Sequence, residues 1–324
     1  MTTAIVPANQ QNQIALSPSV AAFARSSKSP NTINNYESSS NDFLHFCQSH
    51  KVSALPASYQ TVVANLDLAS QGNKAATLKT KLAGIAYFHR LAKAPDPTKT
   101  EEVKAVMSGI RRTLGTAPDR KAPITRIELV VMTAALPKTR TGLRDRAILL
   151  LGFGGAFRRS ELVGLNFEDF EFVGGRMIVT LRKSKTDQEA RGLKKSIPAL
   201  DDDKICPVQA TIAWLNASGI RNGPLFRKVD RHNHLGARAL SDHTIATLIK
   251  QAAKRVGLDV ARFSGHSLRA GFITQSALEE TPEWQIQEVS GHRNTAVLRD
   301  YIRDAGAGQQ RAIKRAFGEG EKTK

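Results

Sequence analysis

The chain has 324 residues, of which 41% are apolar, and its 47 Lys and Arg against 29 Asp and Glu give a net charge of +18. This apolar content can fill two ordinary domain cores, and the lack of any run near 18 apolar residues argues against a membrane-spanning helix. The excess of positive charge predicts a nucleic-acid partner rather than a small-molecule substrate.

Composition also bears on the compartment and on metal binding. The first 24 residues carry no basic side chain and do not resemble a secretory signal peptide, so we expect a cytoplasmic protein. Cys47 and Cys206 lie far apart in the sequence and form no Cys-x-x-Cys pair. We therefore expect reduced thiols, without a disulfide framework or a structural metal.

The N-terminal part is predicted to be a small all-helical domain over residues 29–114. Residues 1–28 are rich in Gln, Asn, Ala and Ser, which is typical of a disordered segment. Four helical segments follow, at about 31–50, 56–70, 73–93 and 98–114. The pair Thr98 and Glu101 has the spacing of a capping box and predicts the start of the fourth helix.

A linker and a second domain follow this helical part. Residues 115–123, GTAPDRKAP, combine Gly, two Pro and charges without an apolar period, which predicts a linker. The second domain is expected over residues 124–324. Apolar periodicity predicts that it opens with helices near 125–136 and 142–155.

A small antiparallel sheet is predicted in the middle of the second domain. The segments FEDFEF and RMIVTL flank Gly174 and Gly175, a pattern that indicates a β-hairpin. A third strand near 192–198 should complete a three-stranded sheet. From Ser241, which is expected to cap a helix, the chain should be helical to its end.

Short motifs in the second domain hold residue types that suit phosphoryl transfer. Arg-x-x-Glu-Leu comes first, two lysines lie in the turn after the second strand, and His-x-x-Arg, Gly-His and a tyrosine follow. These residues are Arg158, Glu161, Lys183, Lys185, His266, Arg269, His292 and Tyr301. One motif alone can arise by chance, but the set in this order resembles the catalytic set of the tyrosine recombinases, also called the phage integrase family. The resemblance extends from about residue 29 onward and is closest to Cre-like members.

The resemblance implies an α+β, mainly helical fold, in which a four-helix, SAM-like core-binding domain precedes a mixed α/β catalytic domain. It assigns catalytic roles to Arg158, Lys185, His266, Arg269, His292 and Tyr301. Lys185 is preferred as the turn lysine because it stands in KSKT, where family members carry a lysine before a threonine; Lys183 is the fallback. Arg159 is then expected to face DNA or solvent, and Glu161 to orient its neighbours.

These residue types suit an exchange of phosphodiester bonds through a covalent phosphotyrosine. Because the bond energy is retained in the adduct, neither ATP, a metal nor any other cofactor is required. Arginines can bind the charged oxygens of five-coordinate phosphorus bidentately, with His292 as a further donor. Since a phenol is protonated at neutral pH, His266 is the candidate that assists Tyr301, and Lys185 is the candidate acid for the leaving 5′ oxygen.

The expected function is therefore site-specific DNA recombination through a Holliday junction. The resemblance implies duplex DNA with inverted half-sites as the substrate and a homotetramer on the synapsed DNA. Two alternatives remain open on the residues alone. One is a type IB topoisomerase, which uses the same chemistry without joining two duplexes, and the other is a basic DNA-binding regulator whose site residues are incidental.

Three further groups of basic or histidine residues lie outside this catalytic set. His232, His234 and His243 stand in RHNHLGARALSDH without Cys or Asp-rich partners, so we expect solvent or DNA contact rather than metal binding. The helix after Ser241 carries Lys250, Lys254 and Arg255, which we expect to contact DNA phosphates or bases rather than to form plain surface. Arg111 and Arg112, near the end of the fourth helix, could contact phosphates, although a solvated helix end is an equally good interpretation.

The C-terminal tail is expected to dock on a neighbouring protomer. After Tyr301, a GAG hinge precedes QQRAIKRAF, which can form about two helical turns with a small apolar face. That face consists of Ala312, Ile313, Ala316 and Phe317. It is too short to build a core of its own, so it should dock either on its own catalytic domain or, as the family resemblance implies, in a pocket of the neighbouring protomer. We expect the second arrangement, in which cyclic donation among four protomers would link a tetramer.

Overall fold

The computed structural model describes residues 28–117, 121–182, 192–292 and 294–304, together with 306, 313, 316 and 317. The segment predicted to be disordered, apart from Lys28, and most of the predicted tail helix lie outside these residues. The chain divides into two compact units, Met1–Asp119 and Arg120–Lys324. Across the described residues, no helix is long and apolar enough to cross a lipid bilayer.

The described part of the N-terminal unit contains four α-helices. They are α1 (Pro30–Ser49), α2 (Tyr59–Ser70), α3 (Ala75–Leu91) and α4 (Glu101–Leu114). Three of them begin at a hydroxyl side chain, Ser29, Ser58 or Thr100, that accepts a backbone N–H which the helix itself leaves without a partner. The helices enclose a core of apolar side chains that includes Phe43 and Leu78. This is the predicted all-helical part of the fold.

The predicted start of the fourth helix is wrong. Thr98 lies in a short 3₁₀ turn, Pro97–Lys99, where its N–H and its hydroxyl both donate to Asp96 Oδ1, at 3.1 and 2.7 Å. Thr100 takes the N-cap position and accepts a backbone N–H at 3.5 Å. Thr98 and Glu101 match a capping box by spacing alone, but the carboxylate of Asp96 is the stronger acceptor and engages Thr98 instead.

The described part of the C-terminal unit contains eight α-helices and five strands, besides two short 3₁₀ turns, Phe167–Asp169 and Val260–Arg262. The helices are α5 (Arg126–Ala134), α6 (Arg140–Gly154), α7 (Arg159–Val163), α8 (Pro207–Ser218), α9 (Asp242–Arg255), α10 (Ser267–Leu278), α11 (Glu283–Ser290) and α12 (Thr295–Asp304). The strands are β1 (Phe170–Val173), β2 (Arg176–Leu181), β3 (Leu193–Pro198), β4 (Arg227–Val229) and β5 (Leu235–Ala239). Helix α8 and the hairpin of β4 and β5 were not predicted, whereas Ser241 caps α9 as expected.

The main sheet is antiparallel with the order β1-β2-β3. Gly174 and Gly175 form the turn between β1 and β2 with φ values of +56° and +72°, which favour glycine. Phe170 on β1 lies opposite Val179 on β2, and Arg176 on β2 lies opposite Pro198 on β3. The predicted three-stranded sheet is therefore confirmed.

Helix α6 is the centre of the C-terminal core, and α10 packs across it. Residues 147–151 of α6 are all buried. Gly271 of α10 approaches the chain entering this unit so closely that an added Cβ would lie 2.1 Å from the carbonyl oxygen of Ile124. The N–H of Ile124 in turn donates to the carbonyl of Ser267, at 3.0 Å. The first turn of α10 is thereby fixed, which matters because it carries Arg269.

We predict that Gly271→Ala destabilises the C-terminal unit by about 1–3 kcal/mol, because the methyl group must displace backbone rather than a flexible side chain. Trp214 and Trp284 are the two tryptophans of the chain and both lie in this unit. Tryptophan fluorescence during urea unfolding therefore reports on it alone. Gly109→Ala, in an exposed turn of α4 with nothing near the added Cβ, is the matched control and should leave this transition unchanged. Equal midpoints for both variants would contradict the prediction.

Candidate active site

Arg158 and Glu161 form an ion pair at the start of α7. Arg158 occupies the N-cap position, and Glu161 lies three residues later in the first turn. One carboxylate oxygen of Glu161 accepts the backbone N–H of Arg158 at 2.9 Å, and the other accepts its guanidinium Nη1 at 2.5 Å. Only 5% of Glu161 is exposed. The carboxylate thus fixes the backbone and the side chain of Arg158 together, which is the orienting role expected of Glu161.

The turn before Arg158 supplies backbone acceptors to the site. Ala156 adopts a positive φ of +47°, a left-handed conformation that costs a non-glycine residue roughly 1–2 kcal/mol. Its carbonyl oxygen accepts Nη1 of Arg269 at 2.7 Å. An unfavourable backbone conformation next to a buried cation is typical of functional sites, where the surrounding structure holds it in place.

Arg269 is buried in the first turn of α10, with 6% of its surface exposed. Its Nη2 lies 3.2 and 3.3 Å from the two ring nitrogens of His292. Burial lowers the pKa of Arg269 to about 10, with the nearby charge of Arg158 acting in the same direction. The side chain remains charged at neutral pH, so two guanidinium groups share this site.

His292 stands just beyond α11, where Gly291 ends the helix in the left-handed conformation. Ser290 Oγ lies 2.8 Å from Nδ1 of His292, and the amide of Gln287 donates to its carbonyl at 2.9 Å. The pKa of His292 is lowered to about 4, mainly by burial and also by the charges of Arg269, Arg158 and Lys195. The imidazole is therefore neutral at pH 7 and can offer one N–H donor to a ligand.

Tyr301 lies in α12, next to His292. The two ring centroids are 6.4 Å apart and the planes are inclined at 46°. The tyrosine is half-buried and packs against a small apolar cluster that includes Ile273, Ile286 and Leu298. Helices α10, α11 and α12 all contribute to this cluster, so one patch of apolar packing sets the position of the tyrosine relative to Arg269 and His292.

The structure therefore brings together four of the six predicted site residues: Arg158, Arg269, His292 and Tyr301. His266 occupies the exposed N-cap position of α10, three residues before Arg269. Lys185, and Lys183 as its fallback, lie outside the described residues. Arg159 is 3.8 Å from Asp242 at the start of α9 and 30% exposed, so its side chain is partly engaged within the protein.

One buried residue of the site was missed by the sequence analysis. Lys195 lies on β3, and its Nζ is close enough to Arg158, Arg269 and Glu161 for their charges to affect its pKa. The signal was present in the strand pattern. Alternate residues of a strand face the same side, and Lys195 stands between Leu193 and Ile197, which face the core.

Several basic residues lie on exposed faces away from this centre. Lys250 and Lys254 occupy the solvent side of α9, whose other side buries Ile245 and Leu248. In the turn between β4 and β5, Asp230 Oδ1 accepts the backbone N–H groups of two exposed histidines, His232 and His234. Among the residues that the structure describes, no group of three or more His, Cys, Asp or Glu has the arrangement to hold a metal ion.

Comparison with known proteins gives concordant matches for both units. Residues 124–307 match the model described as "Phage integrase family", and residues 23–95 match "Phage integrase, N-terminal SAM-like domain". The chain is 35% identical over 295 residues to an integrase/recombinase XerD homolog of Selenomonas ruminantium, covering 90% of this chain and 86% of that protein. It is 24% identical to the recombinase Cre of Escherichia phage P1, with 74% of each chain covered.

Solved structures share the fold at lower sequence identity. A lambda integrase tetramer bound to a Holliday junction matches with a TM-score of 0.57 and 19% identity, covering 85% of this chain and 75% of that one. At this identity the match supports the architecture only. It agrees with a mainly helical chain that carries a small antiparallel sheet.

We predict that His292 makes the fold less stable in acid. Its pKa is about 4 in the folded chain and near 6.5 when unfolded, so between these values the unfolded chain binds more protons. The contribution of His292 to the free energy of unfolding is therefore fully present above pH 6.5, and it is lost as the pH falls toward 4. Because the ring is partly exposed, solvent screening limits this loss to about 1–2 kcal/mol.

Urea unfolding at pH 7 and pH 4.5 measures this effect. The His292→Gln variant should lose about 1–2 kcal/mol less than the wild type between the two pH values. His243→Gln, at an exposed position of α9, is the control and should behave as the wild type. A His292→Gln variant with the pH dependence of the wild type would show that the environment of His292 does not disfavour its charge.

Proposed function

Because this chain belongs to the phage integrase family, we propose that its site cleaves and rejoins duplex DNA at specific sequences through a covalent bond to Tyr301. The family resemblance and the recombinase function expected from the sequence are confirmed by the matches to both units. The observation that carries the residue assignment is the linked set of Arg158, Arg269, His292 and Tyr301. In that set two guanidinium groups, a neutral imidazole and a phenol face one small region.

The roles follow from what each group can do chemically. The hydroxyl oxygen of Tyr301 attacks a DNA phosphorus, a phosphotyrosyl bond to the 3′ end forms, and the bond to the 5′ oxygen breaks. Arg158 and Arg269 bind the non-bridging oxygens, whose negative charge grows as phosphorus becomes five-coordinate. His292 contributes a further N–H donor. Every one of these interactions is stronger in the transition state than in the ground state, which is what accelerates the reaction.

Two proton transfers complete the reaction. The phenolic proton of Tyr301 must leave during the attack, and His266 is proposed to assist its transfer. The leaving 5′ oxygen must gain a proton, and we assign this step to Lys185, which stands between β2 and β3 in the sequence. The attack of the 5′ hydroxyl of another strand on the phosphotyrosyl bond then reverses these steps. Because one phosphodiester is exchanged for another, the residues of the chain suffice without a nucleotide or metal cofactor.

The assembly is proposed to be a homotetramer on two duplexes, each with inverted half-sites. The lambda integrase match is a tetramer on a Holliday junction, and a similar arrangement would suit a chain with a single tyrosine nucleophile per protomer. Exposed basic side chains on α9 would bind the DNA backbone. A DNA substrate of this kind would place the enzyme in the cytoplasm of a bacterial host.

Trapping of the covalent intermediate tests the assignment of Tyr301. In the native host, protein carrying covalently bound DNA is isolated under denaturing conditions, and the attached DNA is sequenced to find a shared inverted repeat. A nicked duplex with that sequence then traps the adduct in vitro. Tyr301→Phe should reduce adduct formation by at least about a thousandfold, because it removes the nucleophile.

The control for this experiment is Tyr59→Phe, at the exposed start of α2. It should form the adduct at the rate of the wild type. An adduct in the Tyr301→Phe variant would assign the nucleophile to another residue. Attached DNA without a common sequence would contradict site specificity while leaving the cleavage chemistry intact.

Deletion of the tail tests the proposed assembly. Ile313 and Phe317 are 59% and 83% exposed, which suits an apolar segment that docks on another protomer. Removal of residues 309–324 should leave cleavage of a single half-site within about threefold of the wild type and abolish stable tetramers on DNA. Light scattering coupled to size exclusion measures the assembly. Phe317→Ala should weaken it in the same direction, and an undiminished tetramer after the deletion would refute donation of the tail.

A further inference from the structure

Lys195 is a buried cation in the middle of β3. Only 6% of it is exposed, whereas Lys194 beside it lies on the exposed side of the same strand. Burial of an ammonium group is costly unless its N–H groups find acceptors. The partners of Lys195 therefore indicate why the chain retains a charge at this position.

Its partners are two backbone carbonyls and an aromatic face. Nζ donates to the carbonyl oxygens of Gly155 and Val289, both at 2.5 Å. It also lies 4.7 Å from the centre of the Phe157 ring, a favourable cation–π distance. An ammonium has three N–H donors, so two strong hydrogen bonds and one aromatic contact account for the whole group.

The two carbonyls lie at the C-terminal ends of two different helices. Gly155 directly follows α6, and Val289 lies in the last turn of α11. Carbonyls at helix C-termini have no partner within the helix, and the helix dipole makes them favourable acceptors for a cation. One ammonium on the sheet thus caps two helices at once.

Both helix ends lead directly into the candidate active site. The turn containing Gly155 and Ala156 leads to Arg158, and its next carbonyl, that of Ala156, holds Arg269. Val289 is three residues before His292. Lys195 therefore fixes the distance between the segment that carries Arg158 and the segment that carries His292.

The charge of Lys195 is sensitive to its surroundings. The pKa of Lys195 is lowered to about 7, mainly by burial and also by the charges of Arg269 and Arg158, against the opposing charge of Glu161. Among the residues that the structure describes, these three groups and His292, whose pKa the charge of Lys195 lowers, are the ionisable groups that face it. Arg269 belongs to α10, whereas Arg158 and Glu161 belong to the start of α7, so charges on two different elements set the balance at Lys195.

We propose that Lys195 is a positioning residue for DNA cleavage, which holds the Arg158 turn and the His292 helix end at the spacing that one phosphate requires. This inference rests on the recombinase function proposed above. The role differs from that assigned to Lys185, because Lys195 donates to backbone carbonyls within the protein and acts on the substrate only through Arg158, Arg269 and His292.

Three variants on the trapped DNA sequence test this role. Lys195→Met keeps the volume and removes the ammonium, Lys195→Arg keeps charge and donors, and Lys194→Met removes a neighbouring exposed charge as the control. At saturating nicked duplex, Lys195→Met should cleave at least about tenfold more slowly than the wild type, with the Kd for the duplex changed less than twofold. Lys195→Arg should retain more cleavage than Lys195→Met, and Lys194→Met should cleave at the wild-type rate.

A purely structural role would give a different pattern. In that case any loss of cleavage would match a loss of the folded fraction in thermal melts, and Lys195→Met would show the wild-type rate wherever it is folded. Wild-type cleavage in folded Lys195→Met overturns the proposal. If Lys195→Met does not fold, Lys195→Arg decides, because a guanidinium stays charged at pH values where the Lys195 ammonium, with a pKa of about 7, loses its proton. Cleavage by Lys195→Arg should then fall less above pH 7 than cleavage by Lys194→Met, and identical pH profiles overturn the proposal.

A spectroscopic measurement on the DNA-free protein separates this inference from the proposed function. With ¹³C-labelled histidine, the ring signal of His292 is identified by its loss in His292→Gln. Removal of the ammonium in Lys195→Met should shift this signal and raise the pKa of His292 toward its ordinary value, whereas Lys194→Met should not. If the wild type forms no covalent adduct, the recombinase proposal fails and this titration alone decides the positioning role. Identical His292 titrations would overturn it.

Discussion

The repulsion among three cations around one buried carboxylate is the constraint on which the active site depends. Arg158, Arg269 and Lys195 lie within range of one another, and among the described residues Glu161 is the acidic group that interacts with all three. In a partly dehydrated site such repulsion is weakly screened, so it must be offset by other acceptors. The site carries more positive than negative charge. A bound DNA phosphate would supply negative charge and neutralise this excess.

Backbone carbonyls provide the compensation that further carboxylates would otherwise supply. The carbonyls of Gly155 and Ala156 point to Lys195 and Arg269, and the carbonyl of Val289 joins the same lysine. Carbonyls are dipoles without net charge, so they hold the cations in place without cancelling them. An additional aspartate would stabilise the empty site more strongly but would compete with the phosphate. The left-handed conformation of Ala156 fits this explanation. It is energetically unfavourable, but it directs the two successive carbonyls of Gly155 and Ala156 toward two cations.

Local sequence patterns predicted most of the helices and strands. They did not predict the features that depend on contacts between residues far apart in the sequence. The helical repeat and the Gly174–Gly175 turn sufficed for α1 to α4 and for the three-stranded sheet. The start of α4 failed because Asp96 competes for Thr98, and α8 was missed although Pro207 and an apolar run mark it. For the site, motif order indicated Arg158, Arg269, His292 and Tyr301, which the structure brings together. Lys195 belongs to no motif. Its role depends on hydrogen bonds to two carbonyls that are 40 and 94 residues away in the sequence, which no local pattern indicates.

The neutral state of His292 follows from the same crowding and suits the chemistry. A protonated imidazole would add a fourth positive charge beside Arg269, and this is why its pKa falls to about 4. As a neutral group it can donate to a phosphate oxygen through one nitrogen while the other contacts Ser290 or Arg269. The arginines then supply the charge, and the histidine supplies a directed hydrogen bond. Because these groups are held by α10, α11 and the turn before α7 before any DNA arrives, the energetic cost of assembling them is met by folding rather than at the moment of reaction.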